Sequence, residues 1–154
     1  MEVRPALVFR LVLESFWSRV LIVDGSMANR KLLNRKLITG EFKELQWKVE
    51  TAKTGETCLE MIDAGGVFDL IVVDDNMQDA GGELLETEAT ELIRKREDGG
   101  RHRPLIFGCS GNSTAEDKEK GRKSGHDWFW EKPAPPGEQS LQAVARLWGE
   151  KRGR

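Results

Sequence analysis

Four consecutive apolar residues at 70–73, Leu-Ile-Val-Val, lie between Asp69 on one side and Asp74-Asp75 on the other. An unbroken apolar run of that length predicts a strand buried on both faces, as in the middle of a parallel sheet covered by helices. The pattern recurs at 20–23, where Val-Leu-Ile-Val ends in Asp24-Gly25-Ser26, and at 104–109, which ends in Ser110-Gly111. Two further strands are expected near 47–51 and at Trp128-Phe129-Trp130.

Between these runs the apolar period lengthens to that of a helix. Ser26 is placed to cap a helix through Ile38, with Leu33 and Leu37 on its inner face. Gly55 opens a second helix with Cys58, Leu59 and Ile62 inward, stopped by Gly65-Gly66. A third is expected over 82–96, with Leu85, Ala89 and Leu92 inward and Glu86, Glu88, Glu91 and Lys95 in water. Ser113 with Glu116 forms a capping-box signature for a fourth, over 113–124. That helix holds no large apolar residue and contains Gly121, so it is expected to be weakly anchored and to open easily. A last helix carries Leu141, Val144, Ala145 and Trp148 at i, i+3, i+4 and i+7. Five strands alternating with five helices specify an α/β, doubly wound domain with right-handed crossovers.

Composition narrows the classes. The 154 residues carry 24 basic and 26 acidic side chains, a net charge of −2, which argues against a nucleic-acid module. Cys58 and Cys109 both sit in apolar surroundings without metal-ligand spacing, and read as buried free thiols in a reducing, cytoplasmic setting. Residues 1–17 form a separate extension. Arg10 and Glu14 interrupt its apolar residues, so it is neither a membrane span nor a secretory signal. It is a helix from an upstream domain, a docking or dimer-forming arm, or a cover for part of the core. Residues 151–154 are a short basic tail, and His102 and His126 read as surface loop residues.

The chemistry emerges when the strand ends are set side by side. Asp24 follows the first strand, Asp74 and Asp75 the third, Ser110 the fourth and Lys132 the fifth, which puts them along one edge of a parallel sheet. Carboxylates there suit Mg²⁺, which takes a few carboxylates plus waters and phosphate oxygens. A hydroxyl and an ammonium beside them suit phosphate oxygens. An aspartate nucleophile, a metal and a lysine are the parts needed to form an aspartyl phosphate.

In that arrangement residues 18–150 resemble the receiver domain of two-component response regulators, through LIVDGS, DLIVVDDNM followed by Gly82, PLIFGCSGN and GHDWFWEKP. The resemblance implies a flavodoxin-like receiver fold with a five-stranded parallel sheet in the order 2-1-3-4-5. It implies Asp74 as phosphoacceptor, because Met77 and Gly82 then stand at the family's +3 and +8 positions. Ser110 becomes the hydroxyl residue, Lys132 the phosphate-binding lysine and Phe129 the switch aromatic. Asp24, Asp74 and the Asn76 carbonyl become the Mg²⁺ ligands, and Lys132-Pro133 a cis peptide. The implied partner is a histidine kinase or a histidine phosphotransfer protein, and the implied output face is the fourth helix, fifth strand and fifth helix. The domain is a stand-alone relay or the receiver of a hybrid kinase.

Two departures stand out. Gly25 occupies the place of the family's second acid after strand one, and Gln78 that of a loop proline. The alternative is therefore a pseudo-receiver, which binds a protein partner without being phosphorylated. A dehalogenase-type hydrolase is excluded by its D-x-D requirement, since Asn76 fills the third position. Asp75 could stand in for the missing acid, but strand alternation turns it away from Asp74.

Overall fold

In the computed structural model, residues 19–39, 42–43, 46–75, 81–97, 103–111, 114–132, 134, 143–144, 146–147 and 150 are described. Strands β1 (Arg19–Val23), β2 (Lys48–Ala52), β3 (Leu70–Asp74), β4 (Leu105–Ser110) and β5 (Trp128–Glu131) form one sheet in the order β2-β1-β3-β4-β5. Every adjacent pair is parallel, with Val20 opposite Val49 and Leu70, Leu70 opposite Leu105, and Phe107 opposite Trp128. The three unbroken apolar runs became the three central strands. All of β3 and β4 is buried.

Strand alternation sorts these side chains into two cores. Val20, Ile22, Leu70, Val72, Leu105, Phe107 and Trp130 face Leu33 and Leu37 of α1 (Met27–Leu37). Leu21, Val23, Ile71, Val73 and Ile106 face α2 (Gly55–Asp63) and α3 (Glu86–Glu97) through Cys58, Leu59, Ala89 and Ile93. Both cysteines are buried free thiols, pushed up to about 12 by burial. Of the expected last helix, Val144 is described and fully buried, while Leu141, Ala145 and Trp148 lie outside the described residues. So do the 1–17 extension, Asn76, His102, Ser113, Pro133 and the 151–154 tail.

Local chemistry explains the helix starts, including two that differ from expectation. Ser26 caps α1 as its sequence suggests, its hydroxyl accepting from the Asn29 N–H. The third helix begins at Glu86, four residues later than expected. The Glu56 carboxylate accepts from the Glu83 and Leu84 N–H groups, and Glu88 accepts from that of Leu85, which holds the preceding residues in a turn. Leu85 consequently stays 47% exposed, and the inner face of α3 is Ala89, Thr90 and Ile93, with Leu92 only partly buried. The fourth helix, α4 (Ala115–Ser124), is capped by Thr114 with Asp117, one residue beyond the Ser113–Glu116 pair. Both side chains of that box bond backbone N–H groups, satisfying two donors at once.

Without a large apolar side chain, α4 seats its own backbone. A Cβ on Gly121 would stand 2.4 Å from Nδ1 of His126 and 2.5 Å from the Phe129 ring, so only glycine allows the helix this close. His126 is thus no surface residue; it is 5% exposed. Thr90 Oγ1 donates to the Glu86 carbonyl at 2.8 Å, so at 3.0 Å it accepts from Nε2–H of His126. That leaves Nδ1 buried without a partner among the described residues, and burial, then the Arg94 charge, drives the ring down to about 4.

Candidate functional site

The parallel ladder delivers the chemistry to one edge. Asp24 directly follows β1, Asp74 closes β3, Ser110 closes β4, and Lys132 follows β5. The Asp24 N–H donates to the Ala52 carbonyl and the Lys132 N–H to the Ser110 carbonyl at 2.9 Å, so both flanking residues stay tied to the sheet. Asp24, Asp74 and Ser110 are each at most 5% exposed.

Lys132 holds the centre. Its Nζ donates to Asp74 Oδ1 at 2.5 Å and lies 3.8 Å from Asp24 Oδ2. The Asp24 Oδ1 accepts from the Ser26 N–H at 2.8 Å, and the Asp24 carbonyl takes the Arg30 guanidinium at 2.7 Å. Burial pushes the Asp74 carboxyl up to about 6; the Lys132 bond opposes this, while Asp24 and Asp75 add to it. The carboxylate form, which is the nucleophilic one, therefore prevails at neutral pH. Asp24, Lys132, Cys109, Asn29, Leu32 and Ala134 line an open cavity of about 300 Å³ on the Asp24 side of Lys132.

The other flank of Asp74 differs. Ser110 Oγ donates to Asp75 Oδ2 at 2.7 Å. Asp75 thus turns toward the hydroxyl residue, and its carboxyl also stands within hydrogen-bonding reach of that of Asp74, where strand alternation did not place it. Phe129 is half-buried, its ring set edge-to-face on His126 at 5.1 Å and filling the space between β4 and α4. Asn76 falls outside the described residues, so its carbonyl has no described position.

Glu86 is the residue that sequence reasoning missed. The helical pattern puts it on a solvated face, yet its Oε2 is shielded and has no hydrogen-bond partner among the described residues. Burial first, then the charges of Asp75, Asp74 and Asp117, push its carboxyl up to about 7. Helical period alone could not find it, because the displaced start of α3 decides where its first side chain points.

The comparisons agree with this geometry. A family model described as the response regulator receiver domain matches residues 20–145. No curated protein matches the chain. Among solved structures, the chemotaxis response regulator CheY4 of Vibrio cholerae is similar, with 23% identity and a TM-score of 0.67 over 86% of this chain and 99% of that one. The receiver domain of the histidine kinase CKI1 from Arabidopsis thaliana, a complex with Mg²⁺ and BeF₃⁻, is 26% identical with a TM-score of 0.67, over 88% of this chain and 94% of that one. The Francisella response regulator 1452 receiver domain is 23% identical with a TM-score of 0.66, over 89% of this chain and 99% of that one. With the family model spanning most of its length and the strand order and edge residues described above, this chain belongs to the response regulator receiver domain family of two-component signalling.

Proposed function

We propose that residues 18–150 act as a phosphoacceptor receiver, taking a phosphoryl group from a phosphohistidine onto Asp74 and changing its partner binding as a result. The observation that carries this reading is the buried Asp74 carboxylate pinned by the Lys132 ammonium at the open edge of the sheet. In the transfer, an Asp74 oxygen attacks phosphorus, the P–N bond breaks, and the imidazole leaves with the bonding pair. Lys132 neutralises charge on the phosphoryl oxygens while keeping Asp74 oriented; such fixed electrostatic positioning is the main source of catalysis in phosphoryl transfer. Ser110 supplies one further donor to those oxygens. Hydrolysis by water then resets the carboxylate, so the domain catalyses its own phosphorylation and dephosphorylation and is not an enzyme acting on a separate substrate.

Mg²⁺ fits the donor set. Two carboxylates, Asp24 and Asp74, share one ammonium, so the described residues leave the pocket with an excess of negative charge. Among the described residues no three His, Cys, Asp or Glu side chains form a metal cage, so the ion would rest on Asp24, Asp74 and the Asn76 carbonyl, completed by water. When bound it supplies charge neutralisation at the phosphoryl oxygens.

The partner is a histidine kinase or a histidine phosphotransfer protein. The exchange takes place on the cytoplasmic side in this reading; no helix among the described residues is long and apolar enough to cross a membrane. A second reading, a pseudo-receiver that binds its partner without phosphorylation, is favoured by Gly25, which leaves one acid missing. Intact mass after treatment with acetyl phosphate and Mg²⁺ separates the two. One phosphoryl group should be gained, and Asp74→Asn should abolish the gain while keeping the fold. Uptake persisting in that variant overturns Asp74; no uptake from acetyl phosphate or a phosphohistidine donor leaves the pseudo-receiver.

A further inference from the structure

We propose that Asp75 is a positioning residue that latches Ser110 in the unphosphorylated state, competing with the phosphoryl group for the single hydroxyl proton; this rests on the phosphoacceptor reading above. Two backbone bonds fix the geometry. The Asp75 N–H donates to the Cys109 carbonyl at 3.3 Å, which keeps residue 75 in register with β4 just past the end of β3. The Ser110 carbonyl is held by the Lys132 N–H. The main chain on both sides is therefore anchored, and the Ser110 hydroxyl changes partner by rotating about its own side-chain bond.

A serine hydroxyl has one proton to donate. It is now given to Asp75 Oδ2 at 2.7 Å, a charge-assisted bond. The Asp74 carboxylate meanwhile has its own donor in Lys132. Once Asp74 carries a phosphoryl group, new anionic oxygens appear beside Ser110, and the proton can serve them only by leaving Asp75. Asp75 then loses its donor beside Glu86, whose shielded carboxyl feels Asp75 more than any other charge. Both effects hold the hydroxyl on Asp75 until the phosphoryl group arrives. Because Asp75 is itself exposed, water compensates part of the loss, and the latch is modest.

The test uses BeF₃⁻ with Mg²⁺ as phosphoryl mimic, with affinity measured by calorimetry on the wild type, Asp75→Ala, Asp75→Asn, Ser110→Ala and the Asp75→Ala/Ser110→Ala double variant. Asp75→Ala should bind about tenfold tighter, the scale of one charge-assisted hydrogen bond. Asp75→Asn, which keeps an acceptor oxygen but no charge, should fall between. With Ser110→Ala in the background the gain should vanish, because the pair then has nothing to exchange. A gain that persists undiminished in that background means Asp75 acts through charge alone and overturns the latch, as does unchanged or weaker binding in Asp75→Ala. If the wild type and every variant fail to bind the mimic, and acetyl phosphate leaves Asp74 unmodified, the phosphoacceptor reading falls and the latch with it.

Discussion

The two flanks of Asp74 are built from the same kind of side chain and reach opposite electrostatic solutions. On one side a carboxylate, Asp24, is balanced by the Lys132 ammonium and by the Ser26 N–H. On the other, Asp75 and Glu86 face each other's charge, and among the described residues the donor to Asp75 is one side-chain hydroxyl, that of Ser110. Burying charge is tolerable where a cation and hydrogen bonds compensate it, and costly where they do not. The first flank therefore holds the Asp74 carboxylate against a compensating cation, and the second sets like charges side by side, with water screening the exposed Asp75.

Removing the cation breaks the comparison most severely. Lys132→Ala should slow phosphorylation of Asp74 about a hundredfold, the scale for losing one preorganised charge at a reacting oxygen. Asp74 should respond by taking up a proton. Its carboxyl already sits near 6, and without Lys132 it should rise further, so the variant should lose stability as pH rises through neutrality. Rates with acetyl phosphate across pH 5.5–8 would check both; a rate within a few-fold of wild type would remove Lys132 from the mechanism.

The second flank rests on α4, whose first turn contributes Asp117 to the field at Glu86. Gly121→Ala should cost about 1–3 kcal/mol, the usual penalty of overpacking, since the new methyl meets His126 and Phe129 below 3 Å. Thermal unfolding measures the loss, and hydrogen exchange should show α4 opening first. Unaltered exchange in α4 would mean the helix is held elsewhere.

How far the sequence could reveal each flank follows from the same facts. Asp24, Asp74, Ser110 and Lys132 follow apolar strands or close them, so period and topology alone put them on one edge. Leu33, Leu37, Cys58 and Leu59 were likewise legible, because helical period and burial agree there. Glu86 and His126 were not. The first depends on Glu56 and Glu88 capturing backbone donors and displacing the start of α3 by four residues; the second on a glycine 5 residues earlier that admits a helix backbone against a ring. Both are tertiary effects of polar groups, and hydrophobic patterning does not register them.

Gly25→Asp sharpens the contrast by adding a carboxylate to the compensated flank. Gly25 is not among the described glycines with positive φ, so the substitution introduces no left-handed strain. Mg²⁺ affinity should rise about tenfold, as expected for one more oxygen ligand of a hard cation. Titration calorimetry without any phosphodonor reads this directly. Equal affinity in both proteins would show that the pocket is already complete without an acid at that position.

The smallest effect should come from Glu86→Gln, and its sign is the informative part. Glu86 is held near 7, above its ordinary value of 4.5, so between those two values the folded protein keeps a proton that the unfolded chain has lost. Stability then falls as pH rises through that window. Asp74, raised to about 6, acts in the same direction. His126, lowered to about 4, acts oppositely: its contribution is lost as pH falls from 6.5 toward 4. His126 remains in the variant, so subtracting the two stability curves removes its part and leaves Glu86 together with its coupling to Asp74. The variant should gain little at pH 5 and about 1 kcal/mol by pH 8, discounted for partial solvent access. A difference that stays flat and near zero across this range would show that Glu86 is already solvated and ionised. A variant less stable than the wild type by a constant margin from pH 5 to 8 would show that a cation compensates the carboxylate, and the second flank would then resemble the first.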